Sequence, residues 1–122
     1  LALAAVAVTA TLGTASIAST DQQARPPGEA QYVRLCQTCH GSEGRGDGPS
    51  GRALEPSPRD FTSARFRFDA NGNGVVGEDE DLFLVIRNGA AAYGGSPMML
   101  RRDRLSEREL LDLVRYIRSF AR

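Results

Sequence analysis

The chain has 122 residues, enough for one domain, and a formal net charge of zero, which removes nucleic acid as an expected partner. It contains two cysteines, one histidine, no lysine and no tryptophan. Chemistry that needs several imidazoles or many thiols is therefore excluded, and the apolar inventory is thin for a self-sufficient core.

Residues 1–18 read as an export signal. A continuous apolar run comes first, then small residues, with Ser16 and Ala18 suited to a signal-peptidase cut after Ala18. No charged segment precedes the run, so such a signal would be truncated at its start. The alternative is a retained membrane anchor, which the short, Ala- and Thr-rich stretch disfavours. Residues 19–28 form a polar, proline-containing lead-in, and 29–122 form the domain proper. A helical pattern over 29–39 follows, with Tyr32, Val33, Leu35 and Cys36 as its apolar members.

That pattern runs into Cys36-Gln37-Thr38-Cys39-His40, the C-x-x-C-H arrangement of a c-type haem attachment site. Two thiols on one helical turn can each add across a haem vinyl group. His40 is then placed to bind the iron through a ring nitrogen. A thioredoxin-like pair would need a preceding strand. A structural zinc site would need four protein ligands, and the chain holds only these three. A short-loop disulfide in an exported protein would leave His40 unexplained.

Gly41, Gly44, Gly46, Gly48 and Gly51 recur with Pro49, Pro56 and Pro58, so 41–58 is a loop, able to wrap closely around a flat ligand. Phe61, Phe66 and Phe68 follow, each between polar neighbours, as pocket lining or as core. Next, Asp69, Asn71, Asn73, Gly74 and Glu80 fit the twelve-residue calcium loop D-x-[DN]-x-[DN]-G-x5-E, with the Val75 carbonyl at its seventh position. The entering helix is missing, since 61–68 does not read as one, and an ordinary Asn/Gly turn is the competing reading. Calcium stays an open cofactor here.

A second helix is predicted over 79–87, with Leu82, Phe83, Val85 and Ile86 inward and Asn88-Gly89 as its stop. Gly94-Gly95-Ser96-Pro97 turns the chain into Met98-Met99. The last helix is announced by a capping box, Ser106 with Glu109, and by Leu105 and Leu110 as a hydrophobic staple. Leu110, Val114, Ile117 and Ala121 form its apolar stripe, widened by Leu113 and Phe120; Glu109, Asp112, Arg115 and Arg118 lie on the wet face.

Taken together these pieces resemble a class I monohaem cytochrome c over almost all of 29–122. The resemblance rests on Cys36-Gln37-Thr38-Cys39-His40-Gly41, Gly46-Asp47-Gly48-Pro49, Pro58-Arg59-Asp60-Phe61, Asp79-Glu80-Asp81-Leu82 and the methionine-bearing loop after Pro97. It implies an all-α fold in which the first and last helices pack beside one covalent haem c. It implies thioether links at Cys36 and Cys39, iron ligation by His40 and Met99, and a Pro49 carbonyl accepting the other His40 N–H. The family usually has proline after the ligating methionine; here Leu100 follows Met99, and Met98 stands as the alternative. The implied function is one-electron transfer with redox partner proteins outside the cytoplasm, in the periplasm, by a carrier that is not itself an enzyme. The alternatives are a haem sensor or small peroxidatic protein with an open sixth position, and a calcium-stabilised haem module. Arg101, Arg102 and Arg104 would steer an acidic partner or simply be a solvated turn, and 69–81, with five acids and no base, would give the molecule a dipole.

Overall fold

The computed structural model describes residues 4–5, 7–10, 12–13 and 24–122. The expected export signal over 1–18, its cut after Ala18 and the start of the lead-in lie largely outside the described residues. Among those described, no helix is long and apolar enough to cross a membrane. The described elements are all helical: α1 Glu29–Leu35, α2 Gln37–His40, a 3-10 turn Phe61–Ser63, α3 Asp79–Asn88, a second 3-10 turn Ala90–Tyr93 and α4 Glu107–Arg118.

α1 starts at Gly28, whose φ of 88° lies in the left-handed region. A Cβ there would run into the Asp112 carbonyl of α4, so glycine is what lets the first and last helices touch. The single helix predicted over 29–39 is two. Cys36, at φ −124° and ψ −37°, leaves helical geometry, and a new turn closes from the His40 N–H to the Cys36 carbonyl at 2.9 Å. The break leaves the Leu35 carbonyl without a helical donor, and Arg102 Nη2 fills the gap at 3.1 Å.

α4 carries the predicted capping box: Ser106 Oγ accepts from the Glu109 N–H at 3.2 Å while Glu109 accepts from the Ser106 N–H at 2.8 Å. α3 has one that sequence reading passed over, Glu78 with Asp81. The core joins Tyr32, Phe61, Leu82, Ile86, Leu110, Leu113, Val114 and Ile117. Two expectations fail at its edges. Val33 is 47% exposed because the inward face of α1 belongs to Tyr32. Ala121 lies beyond the end of α4 and is exposed, so the stripe stops at Ile117.

Tyr32 is the centre of the helix crossing. It is fully buried, its ring sits 5.2 Å from Tyr116 and 5.0 Å from Phe120, and its hydroxyl donates to the Gly41 carbonyl at 2.7 Å. Burial, with the nearby Cys36, Tyr116 and Asp47, raises its pKa far above the usual phenol range, so it remains a donor. One side chain thereby ties the α1–α4 contact to the residue that follows His40.

Candidate haem site

The Cys36–His40 turn forms one wall of a cleft of ≈ 200 Å³. The glycine loop folds back over the turn: Gly46 N–H donates to the His40 carbonyl at 2.8 Å, Gly48 N–H to Cys39 at 3.1 Å and Ser50 N–H to Thr38 at 2.9 Å. Gly51 sits so close to the Cys39 carbonyl that no side chain fits. The predicted close wrapping is thus first around the attachment turn itself. Leu54, Pro56 and Pro58 then line the cleft, as do Phe61 and Phe66, which act as both lining and core, and Phe68, which is lining alone.

His40 is held on two sides. Its ring stacks on Phe61 at 4.4 Å and 16°, and its Nδ1–H donates to a backbone carbonyl at 3.1 Å. That carbonyl is Arg59, not Pro49. Pro49 is exposed, because its neighbours Gly48 and Ser50 are bonded to the carbonyls of Cys39 and Thr38. The loop instead returns at 58–61, where Gly46 packs on the Pro58 carbonyl and the Phe61 N–H reaches the Gly44 carbonyl at 2.7 Å. Burial lowers the His40 pKa, partly offset by the Arg59 carbonyl bond. The ring is therefore neutral, with Nε2 carrying the free lone pair that a metal would take. Burial also pushes the Cys36 thiol up to about 11, against a lowering by Arg102, so both atoms are present as S–H and N.

Across the sequence, the other contributors are Leu82, Val85 and Ile86 of α3, and Gly95, Ser96, Met98, Met99, Leu100 and Arg102 of the following loop. Met99 is half-buried and packs on the core, while Met98 is 62% exposed. The Met99 backbone is fixed by bonds from its carbonyl to the Ala90 N–H (3.3 Å) and from its N–H to the Ser96 carbonyl (3.2 Å). Of the three arginines after Met99, Arg102 turns into the cleft, and Arg101 and Arg104 stay exposed.

The matching of a family model decides the identity: the cytochrome c model covers residues 26–121. The chain belongs to the cytochrome c family. No curated protein matches it. Among solved structures, a chain of the Kuenenia stuttgartiensis reducing HAO-like protein complex Kustc0457/Kustc0458 is similar, at 32% identity and a TM-score of 0.66. The match covers 80% of this chain and 42% of that one, so this cytochrome spans less than half the length of its structural neighbour. The family implies covalent haem c, and the cleft of this cytochrome fits it. Two thiols and a neutral imidazole share one wall, a thioether lines the same space, and the rest is largely aliphatic and aromatic. One haem would also supply the apolar bulk that the composition lacks.

Sequence reading missed three contributors. Arg59 and Arg67 line the cleft; Arg59 stands in a segment that carries the resemblance but had no role assigned, and Arg67 has no local signal. Asp81, 1% exposed, also lines it and accepts the N–H groups of Ala70 (2.7 Å), Asn71 (3.1 Å) and Glu78 (2.9 Å). Its place as the third residue of an acidic helix start was the available clue. It bolts the 69–78 loop to α3. In that loop Asp69 braces the N–H groups of Asn73 and Gly74, and the Asn71 and Asn73 amides face Glu78 and Glu80. Among the described residues no three His, Cys, Asp or Glu side chains form a ready metal group, half of this loop's donor set being amide.

Proposed function

We propose that this cytochrome carries single electrons between partner proteins outside the cytoplasm, using one haem c ligated by His40 and Met99. The carrying observation is that Cys36, Cys39 and His40 line the same cleft as Met99, which is distant from them in sequence. Cys36 and Cys39 would anchor the porphyrin by thioether bonds. His40, its tautomer set by the Arg59 carbonyl, would offer Nε2 to the iron. Met99 would offer a neutral sulfur, which favours the ferrous state and raises the potential. The bound haem supplies a reversible one-electron change at iron.

The chain's own residues do the rest. Phe61 and Tyr32 hold the imidazole and its neighbour Gly41 still between oxidation states, which keeps reorganisation small. The aromatic and aliphatic walls exclude water. With His40 and Met99 both holding the iron, no position would be left for a substrate, so this reading is of a carrier and not an enzyme. The exposed Met98 and Leu100, beside Arg101 and Arg104, suit a small transient contact with an acidic redox protein. That the similar solved chain belongs to a two-component complex agrees with a protein partner.

The test is optical. Purified protein matured in a competent host should give the pyridine haemochrome spectrum of a haem with both vinyls saturated. The ferric form should show the weak far-red band of an Fe–S(Met) bond. Met99→Ala should abolish that band and Met98→Ala retain it. Rapid CO binding by the reduced parent would instead mean an open sixth position.

The 69–80 loop supports an additional ligand. We infer that it takes one calcium ion through Asp69, Asn71, Asn73, the Val75 carbonyl and Glu80, stiffening the loop that Asp81 ties to the cleft. What supports this is the spacing of the oxygen donors; the Asn71 and Asn73 side-chain N–H groups donate to Glu78 and Glu80, contacts that calcium would have to replace. Calcium titration by calorimetry should give a one-site isotherm; no heat through the millimolar range would reject it.

A further inference from the structure

One arginine that the sequence pattern places on the wet face of α4 is committed to three contacts at once. Arg118 Nη2 donates to the Gly77 carbonyl at 2.6 Å, its Nε donates to Asp79 Oδ1 at 2.6 Å, and its guanidinium lies 5.0 Å from the centre of the Phe66 ring. A planar guanidinium can give its edge to acceptors and its face to a ring at the same time, which an ammonium cannot. The side chain is 33% exposed, against 69% for Arg115 on the same helix. Arg118 does not line the cleft, but Phe66 does.

Phe66 stands on a stretch, 64–68, that forms neither helix nor strand. A wall residue on such a stretch is placed by what touches it and not by a regular backbone ladder. Gly77 approaches it closely: the Gly77 N–H donates to the Phe68 carbonyl at 3.1 Å, and a Cβ on Gly77 would meet the Phe66 Cβ at 2.9 Å. The Gly77 carbonyl is the one that Arg118 holds. Arg118 therefore fixes Phe66 twice, directly by its face and indirectly through Gly77. Phe66 in turn packs 6.1 Å from Phe61, the ring that stacks on His40. We propose that Arg118 is a positioning residue for the electron-transfer site, holding Phe66 as the part of the cleft wall that keeps water from the haem. This rests on the haem reading above. The ferric site carries more positive charge than the ferrous one, so water admitted at a loosened wall favours the ferric state and lowers the reduction potential.

The experiment compares holoprotein of the parent with Arg118→Gln, Arg118→Lys, Phe66→Leu, the Arg118→Gln/Phe66→Leu double variant and Arg115→Gln. Haemochrome and ferric far-red spectra come first, then midpoint potentials. The potential should fall in Arg118→Gln and in Phe66→Leu with the far-red band retained. The double variant should fall no further than the larger single, because both changes remove the same wall contact. Loss of a charge acting only through space would instead add to the Phe66→Leu effect. Arg118→Lys keeps the charge but not the fork, and should lie between the parent and Arg118→Gln. Arg115→Gln, an exposed charge lost from the same helix, should match the parent. If Arg118→Gln fails to mature, the same cycle built on Arg118→Lys decides. Haem-loaded variants with the parent's potential, additive shifts, an Arg115→Gln shift as large as that of Arg118→Gln, or a fall that comes with loss of the far-red band each overturn the positioning role alone. A parent without a covalent haemochrome spectrum overturns the haem reading and this inference together.

Discussion

The Cys36–Gly41 turn and the Ser96–Arg102 loop contribute to the same cleft but are fixed by different means. The turn is gripped from behind: Tyr32 on Gly41, Phe61 on His40, and three loop N–H groups on the carbonyls of Thr38, Cys39 and His40. The methionine loop is held by a few backbone bonds to Ala90, Ser96 and Ile86, and it leaves Met98 and Leu100 about three-fifths exposed. A ligand that must never leave is built into a helix crossing. On the proposed reading, the methionine ligand is carried instead on a loop that also presents exposed side chains, where local opening costs less.

That contrast can be broken most completely at the thiols. Cys36→Ala with Cys39→Ala should eliminate covalent haem, read as loss of colour after acidified organic extraction. Behind the turn, Tyr32→Ala should destabilise the fold by about 3–5 kcal/mol in denaturant unfolding, the range for large aromatics lost from a core. Tyr32→Phe removes only the hydroxyl and should cost about 0.5–1.5 kcal/mol, one hydrogen bond, since the Gly41 carbonyl keeps the Gly44 N–H at 3.3 Å. The same measurement on Met99→Ala should show about 1 kcal/mol, since that side chain is half-buried on a less constrained loop. Equal losses for Tyr32→Ala and Met99→Ala would erase the distinction between the two regions.

Asp81 sharpens it through pH. Burial opposes its charge, but the N–H groups of Asn71, Glu78, Ala70 and Gly77 outweigh that and lower its pKa below the ordinary 3.8. A folded pKa below the unfolded one means the carboxylate stabilises the fold above about pH 4, and that this is lost as pH falls through the folded value. Asp81→Asn should therefore be less stable than the parent at pH 7, with the gap closing in acid, as urea midpoints would show. The smallest effect belongs to the α4 cap: Ser106→Ala should cost about 1 kcal/mol in thermal or urea unfolding and leave the haem spectrum unchanged.

The resemblance in the sequence reached the family, the all-α class and the attachment turn because each is written in short-range pattern. A thiol pair with its imidazole, a serine three residues before a glutamate, and apolar residues at helical spacing all act within one or two turns. The Arg59 carbonyl on His40 was not legible, because which residue arrives there depends on the path of the whole glycine loop. The expectation of Pro49 failed at that point. The break at Cys36 was equally hidden, since nothing in the residue types forbids a continuous helix.

By itself, then, the sequence determined the chemistry of the cleft: which atoms can bond a porphyrin and its iron, and which helices carry them. Only the tertiary structure decided the neighbours of those atoms. Tyr32 reaches Gly41, Asp81 reaches Ala70 and the Arg59 carbonyl meets His40 through chain closures that no local spacing encodes. The physical reason is that bonding capacity belongs to a residue, whereas desolvation, stacking and charge repulsion belong to pairs that packing brings together.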